Sequence, residues 1–194
     1  MASPIKFAHV VFRTSRYDEM LRWWCTVLEA TPRHASDFIT FLSYDDEHHR
    51  VAIVNFPDLA PANPRSAGVE HIAYTLASLD DLFGNHQRLA AMGITPYWTI
   101  NHGMTLSAYY RDPDGNQVEF QIDITDLDQA DAFMRSDAFA ANPIGIDVDF
   151  DDLIARYRSG ESFDSVTAYQ EAPVAPAGSE RADVADARVG SATE

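Results

Sequence analysis

Only one cysteine, Cys25, occurs among 194 residues, so no intrachain disulfide can form. A crosslinked scaffold is thereby excluded, and a reducing cytoplasm is the expected compartment. Positive charge is also scarce: 14 Lys and Arg stand against 30 Asp and Glu, for a net charge of −16. That balance argues against nucleic acid or an anionic membrane as partner, since both demand a basic surface. No apolar run approaches the roughly 20 residues that span a bilayer. The opening Met1-Ala2-Ser3-Pro4-Ile5-Lys6 lacks the basic-then-apolar pattern of a signal peptide. No Asp-x-Asp-x-Asp-Gly loop occurs, so the acidic surplus reads as solvated surface and not as a calcium site. What is present is a hydrophobic share of 46%, ordinary for a globular domain with a real core.

Along the chain, Ile5–Phe12 is apolar and β-rich, with His9 inside it. Met20, Leu21, Trp24 and Leu28 fall at helical spacing over Tyr17–Leu28, with Ser15 as the expected N-cap and Cys25 as a small buried residue. Trp23 and Trp24 read as core and rim of that helix, not as a substrate platform. Strand-like runs follow at Phe38–Tyr44 and Arg50–Phe56, joined by a polar turn in which His48 and His49 are expected to be solvated. Pro57, Pro61 and Pro64 then forbid regular structure. Val69–Leu76 is a strand containing His71, and Leu79–Met92 is a helix ending at Gly93. Further strands are expected at Pro96–Ile100, Thr105–Arg111 and Gln117–Ile122. An Asp112-Pro113-Asp114-Gly115-Asn116 turn leads into the last. His34 and His86 are expected to be exposed.

The order β-α-β-β-β thus occurs twice. Ile5-Lys6-Phe7-Ala8-His9-Val10-Val11-Phe12 aligns with Ala67-Gly68-Val69-Glu70-His71-Ile72-Ala73-Tyr74, and Thr31-Pro32 aligns with Thr95-Pro96. Two copies imply a pseudo-symmetric pair of modules, not a solenoid. The modules cover 5–56 and 67–123 within a domain of 1–123. Short helices are expected at Asp126–Met134 and Asp149–Arg158, in an extension of 124–160. A disordered tail is expected over 161–194, where large apolar residues become rare from about Glu171 onward.

Three residues carry the chemistry. His9 lies 62 residues before His71, and Glu119 follows 48 residues later. Two imidazoles and one carboxylate suit a non-haem Fe(II) with open coordination positions. Left apart by the fold, they would be three polar residues on sheet edges.

The paired modules, the His in each first strand and the run Tyr109-Tyr110-Arg111-Asp112-Pro113-Asp114-Gly115-Asn116-Gln117-Val118-Glu119 resemble the vicinal oxygen chelate superfamily. That superfamily includes glyoxalase I, bleomycin-binding and fosfomycin-resistance proteins, and type I extradiol dioxygenases. The resemblance implies an α+β fold: two paired βαβββ modules forming a cup-shaped open barrel, plus short C-terminal helices. It implies His9, His71 and Glu119 as metal ligands. The position matching Glu119 in the first module is Ala52, which cannot bind a metal, so the four-ligand glyoxalase I design is not matched. Three ligands are the arrangement of the one-domain extradiol dioxygenases, which open a catechol ring beside its diol using Fe(II) and O₂. The expected substrate is a catechol-type diol, bicyclic ones such as a dihydroxybiphenyl included. Mn(II) or Zn(II) are the alternative metals. The resemblance further implies Tyr109 as a donor to the ionised diol oxygen, His102 as the acid/base group, and a homo-oligomer. The alternatives are another metal-dependent enzyme on the same cup (isomerase, epimerase or glyoxalase-like lyase) and a metal-free resistance protein that sequesters a small molecule.

Overall fold

β1 (Val10–Thr14), α1 (Tyr17–Leu28), β2 (Thr31–Ala35), β3 (Ile39–Ser43) and β4 (Val51–Asn55) form the first module of this computed structural model, which describes residues 2–63 and 65–169. Its sheet order is β1-β4-β3-β2, with β1 parallel to β4 and the other pairs antiparallel. The second module repeats this with β5 (His71–Thr75), α2 (Leu79–Ala91), β6 (Trp98–Asn101), β7 (Thr105–Arg111) and β8 (Gln117–Asp123). Its order is β5-β8-β7-β6, with β5 parallel to β8. Each helix is the crossover that a parallel pair requires, and the meander after it returns the last strand to the first.

The register makes the symmetry specific. Ala52 sits opposite Val11, two residues after His9, and Glu119 sits opposite Ala73, two residues after His71. Ala52 is therefore the counterpart of Glu119, as the sequence repeat predicts.

Strand alternation assigns the faces. Phe12 stacks on Trp24 at 4.8 Å, so Phe12 and its partner Ile53 face α1, where Met20, Trp24 and Val27 are buried. Tyr74 and Phe120 face the same layer in the second module, beside buried Tyr110. Trp24 is fully buried and Trp23 only half-buried, so the core position is Trp24 and the rim is Trp23, the reverse of the expected order. Helix α2 starts at Ser78, whose Oγ accepts the Asp81 N–H at 3.1 Å, and it stops before Gly93 at φ 75°.

Several boundaries differ from expectation. The first strand begins at Val10, so His9 immediately precedes it. Arg16, not Ser15, occupies the N-cap of α1, and its N–H is held by Thr14 Oγ1 at 2.8 Å. Strand β2 was not among the expected strands because all five of its residues are exposed. Pro32 is tolerated there because β2 is an edge strand. Cys25 is half-buried, and His86 is partly buried rather than exposed.

The chain divides into two compact units. The first comprises Met1–Ala62, Val69–Thr99 and Ser107–Ile122, and so holds most of both modules. The second comprises Asn63–Gly68, Ile100–Leu106 and the chain from Asp123 onward. In it lie α3 (Leu127–Met134), α4 (Asp137–Ala141), β9 (Ile146–Asp147), α5 (Phe150–Arg158) and α6 (Phe163–Val166). The tip of the β6–β7 hairpin thus groups with the C-terminal helices and not with the domain of 1–123. Local bonds explain this: Ile100 and Asn101 pair with Asp147 and Ile146, and Asn101 Nδ2 donates to Thr167 O at 2.8 Å. Gly145 at φ 118° lies where a Cβ would meet Asn101 O at 2.4 Å, so only glycine fits against that hairpin. Helix α6 falls within the stretch expected as a disordered tail; residues 170–194 lie outside the described residues.

Candidate active site

Parallel pairing of β5 and β8 puts His71 and Glu119 on one face of the first unit. Nε2 of His71 lies 3.0 Å from Oε2 of Glu119. The imidazole is partly exposed, while Glu119 is only 3% exposed. Burial opposes ionisation of Glu119. Hydrogen bonds from His71 and Ser107, the charge of His71 and the Tyr109 hydroxyl outweigh it, so the carboxyl titrates below its ordinary range. The Glu119 hydrogen bond raises the pKa of His71 against the opposing effect of burial.

Tyr109 projects from β7 onto the same face. Its ring meets His71 edge-on at 5.3 Å, and its hydroxyl bonds to Glu119. Burial first, and the neighbouring carboxylate second, push its pKa well above that of an ordinary phenol. Tyr109 therefore remains a protonated donor at neutral pH. Trp98 stacks on the Tyr109 ring, with centroids 4.9 Å apart and planes at 28°.

Ser107 and Trp98 were not among the residues expected from the sequence. Strand alternation would have found Ser107, two residues before Tyr109 on β7. A serine within a strand carries no signal of its own.

His9 has other company. Its ring is 4.3 Å from His49 and 6.5 Å from His48. The Nδ1 atoms of His48 and His49 are 2.6 Å apart, so one donates and the other accepts. His49 also packs on Phe41 at 4.6 Å and is half-buried, so it is not the solvated turn residue expected. His48 is exposed, as expected. Burial first, then the two adjacent imidazoles, lower the pKa of His49. The structure thus brings His71, Glu119 and Tyr109 together. Among the described residues, no group of three or more His, Cys, Asp and Glu is gathered as a metal site.

His102 belongs to the second unit, on the turn between β6 and β7. Its Nδ1 bonds to the carbonyl of Ile144. A carbonyl only accepts, so Nδ1 carries a proton and donates.

A cavity of about 790 Å³ lies in the first unit, lined by Lys6, Tyr44, Tyr74, Arg88 and Phe120 among others. Tyr74 and Phe120 alternate with the site residues along β5 and β8, so this space is on the opposite side of the sheet.

His71 and Glu119 fit two positions of a two-histidine, one-carboxylate metal set. Their 3.0 Å separation suits an N–H···O bond, and it equally suits neighbouring ligands at ~2.1 Å from one first-row ion. Buried donors on the carboxylate are the outer layer that such ligands require.

A biphenyl-2,3-diol 1,2-dioxygenase of Rhodococcus globerulus is 45% identical over 77% of this chain and 80% of its own length. A second such enzyme from the same organism is 35% identical over 80% of this chain and 83% of its own. The structure resembles a glyoxylase/bleomycin resistance protein/dioxygenase domain from Frankia sp. EAN1pec. The TM-score is 0.52 at 18% identity, over 62% of this chain and 99% of that one, which speaks to fold alone. Residues 6–120 match the family model of the same description, and the chain belongs to the glyoxalase/bleomycin resistance protein/dioxygenase superfamily.

Proposed function

We propose that this protein is an extradiol ring-cleavage dioxygenase acting on a catechol-type diol of the biphenyl-2,3-diol class, with Fe(II) as its metal. The observation that carries the reading is the 45% identity, over most of both chains, to a biphenyl-2,3-diol 1,2-dioxygenase. The His71–Glu119 pair agrees with it, because it supplies an imidazole and a carboxylate aimed at one point.

In this reading His71 and Glu119 hold the metal and His9 is the third ligand. Bound there, Fe(II) supplies the redox-active centre through which diol and O₂ exchange electrons. The protein positions and moves protons. Glu119, ionised despite burial, supplies a fixed negative charge. Tyr109, held as a neutral phenol, has one hydroxyl proton, which turns from Glu119 to the ionised diol oxygen when the diol binds. His102 is the acid/base group that takes the proton from the diol hydroxyl and returns it as the ring opens. Both atoms of O₂ enter the product, and the ring breaks beside the diol, not between its hydroxyls. A cytoplasmic homo-oligomer belongs to the same proposal. Among the described residues, no helix is long and apolar enough to cross a membrane.

The test is anaerobic loading with Fe(II), then addition of biphenyl-2,3-diol and air. A yellow ring-opened product and equimolar oxygen uptake are expected. An iron-replete protein that consumes no oxygen with any catechol overturns the proposal. Parallel loading with Mn(II) and Zn(II) identifies the metal.

A further inference from the structure

We infer that Trp98 is the residue that selects diols bearing a second aryl ring over monocyclic catechols; this rests on the diol-cleavage reading of the same site. Four side chains form a chain of neighbours: His71, Glu119, Tyr109 and Trp98. His71 and Glu119 converge at 3.0 Å. The Tyr109 ring lies 5.3 Å beyond His71, edge-on. The indole of Trp98 lies 4.9 Å from the Tyr109 ring, its plane inclined by 28°. A diol anchored at His71 and Glu119 presents its first ring at Tyr109, and a monocyclic catechol ends there. An aryl substituent continues outward to the indole.

Trp98 suits that contact chemically. It is half-buried, so part of its surface faces outward while its stacking on Tyr109 fixes its orientation. A preoriented indole loses little freedom when a ring settles on it, and offset or edge-on aromatic pairs add attraction beyond the area they cover. The adjacent cation is directed elsewhere: the Arg111 guanidinium lies 4.4 Å over the Tyr97 ring, and the Tyr97 hydroxyl bonds to Gln117. The wall beside Tyr109 is thus aromatic, which suits an uncharged aryl group better than a charged substituent. Tyr109 itself is tied to Glu119, which leaves the outer ring, Trp98, as the point where substrates of different size are told apart.

The experiment compares wild type, Trp98→Ala and Trp98→Phe on biphenyl-2,3-diol and on catechol. It measures kcat/KM with Fe(II)-loaded enzyme, and Kd by anaerobic calorimetry. For Trp98→Ala the biphenyl-2,3-diol to catechol ratio of kcat/KM should fall about tenfold, the scale of one aromatic pair plus its buried area. The Kd ratio should move equally, and Trp98→Phe should recover most of the loss. Equal weakening toward both diols, or no change toward either, overturns the inference. If wild type cleaves neither diol, the dioxygenase reading fails, and the anaerobic Kd ratio alone still decides the role of Trp98.

Discussion

Oε2 of Glu119 lies 3.0 Å from Nε2 of His71, and the same strand register gives Glu119 an apolar counterpart, Ala52, in the first repeat. The duplicated fold thus offers two equivalent positions for a carboxylate and fills one. Ala52 is fully buried opposite Val11 and Phe41. Its methyl leaves the His9 half of the repeat without an acidic partner of the kind His71 has.

Glu119 depends on its neighbours to remain ionised while buried. Ser107→Ala removes one of its donors without touching a proposed ligand. Divalent-metal affinity should fall ~10–100-fold, the range seen when an outer partner of a ligand is lost. Calorimetric titration with Fe(II) or Co(II) measures it. Metal binding as tight as in wild type would show that the Ser107 bond does not orient the carboxylate.

His102 separates a proton carrier from a structural residue. His102→Asn can keep an N–H facing the Ile144 carbonyl but has no titrating nitrogen. His102→Ala lacks both. If His102 moves protons, kcat falls ~10²–10⁴-fold in both variants, with iron content and diol Kd little altered. Recovery of kcat in the Asn variant alone would assign His102 a positioning role through Ile144.

The paired modules could be read from the sequence because core residues recur with strand and helix periods: Trp24 at the centre of α1, and Tyr74 and Phe120 on alternating strands. The Asp112–Asn116 turn was equally plain, since Gly115 takes φ 87° as such a turn requires. Strand β2 escaped because Thr31–Ala35 has no buried side chain to set a period. The two residues of β9 are too few to show one. Grouping of the Asn101–His102 hairpin tip with the C-terminal elements rests on bonds to the Thr167 and Ile144 carbonyls, and a carbonyl looks the same in any residue. The repeat and the hairpin motif single out His71, Glu119 and Tyr109, and the structure places these three side chains side by side. The contact of His9 with His49 is one that a polar turn sequence does not reveal.

Helix α1 ends on Glu29 at φ 49°, a left-handed conformation that glycine adopts without steric cost. The Glu29 carboxylate is mostly exposed, and its contact with Arg88 is long at 3.9 Å, so little is lost with the side chain. Glu29→Gly relieves ~1–2 kcal/mol of backbone strain and gives back ~0.4–1 kcal/mol through a more flexible unfolded chain. A net gain of roughly 0.5–1 kcal/mol in urea unfolding is expected. A loss of stability would mean that the Arg88 contact outweighs the strain.

Asp112 joins the two modules and should make stability depend on pH. Its Oδ1 accepts the backbone N–H groups of Asp114 at 3.0 Å and Asn116 at 2.9 Å. Oδ2 accepts Asn116 Nδ2 at 2.8 Å and the Trp24 indole N–H, from helix α1, at 3.2 Å. Burial nevertheless dominates and raises its pKa, with these bonds opposing. A carboxyl with a raised folded pKa binds its proton more tightly when folded. Stability is therefore lost as pH rises from the unfolded value of ~3.9 through the folded one. Asp112→Asn turns an amide N–H toward the two donors at Oδ2, which should cost ~1–3 kcal/mol at pH 7. The variant lacks this titration, so wild type should exceed it by more at pH 4 than at pH 7. Urea unfolding of both proteins at the two pH values measures the gap. A gap that widens toward pH 7 would mean that hydrogen bonding to Trp24 and the turn, not burial, sets the titration of Asp112.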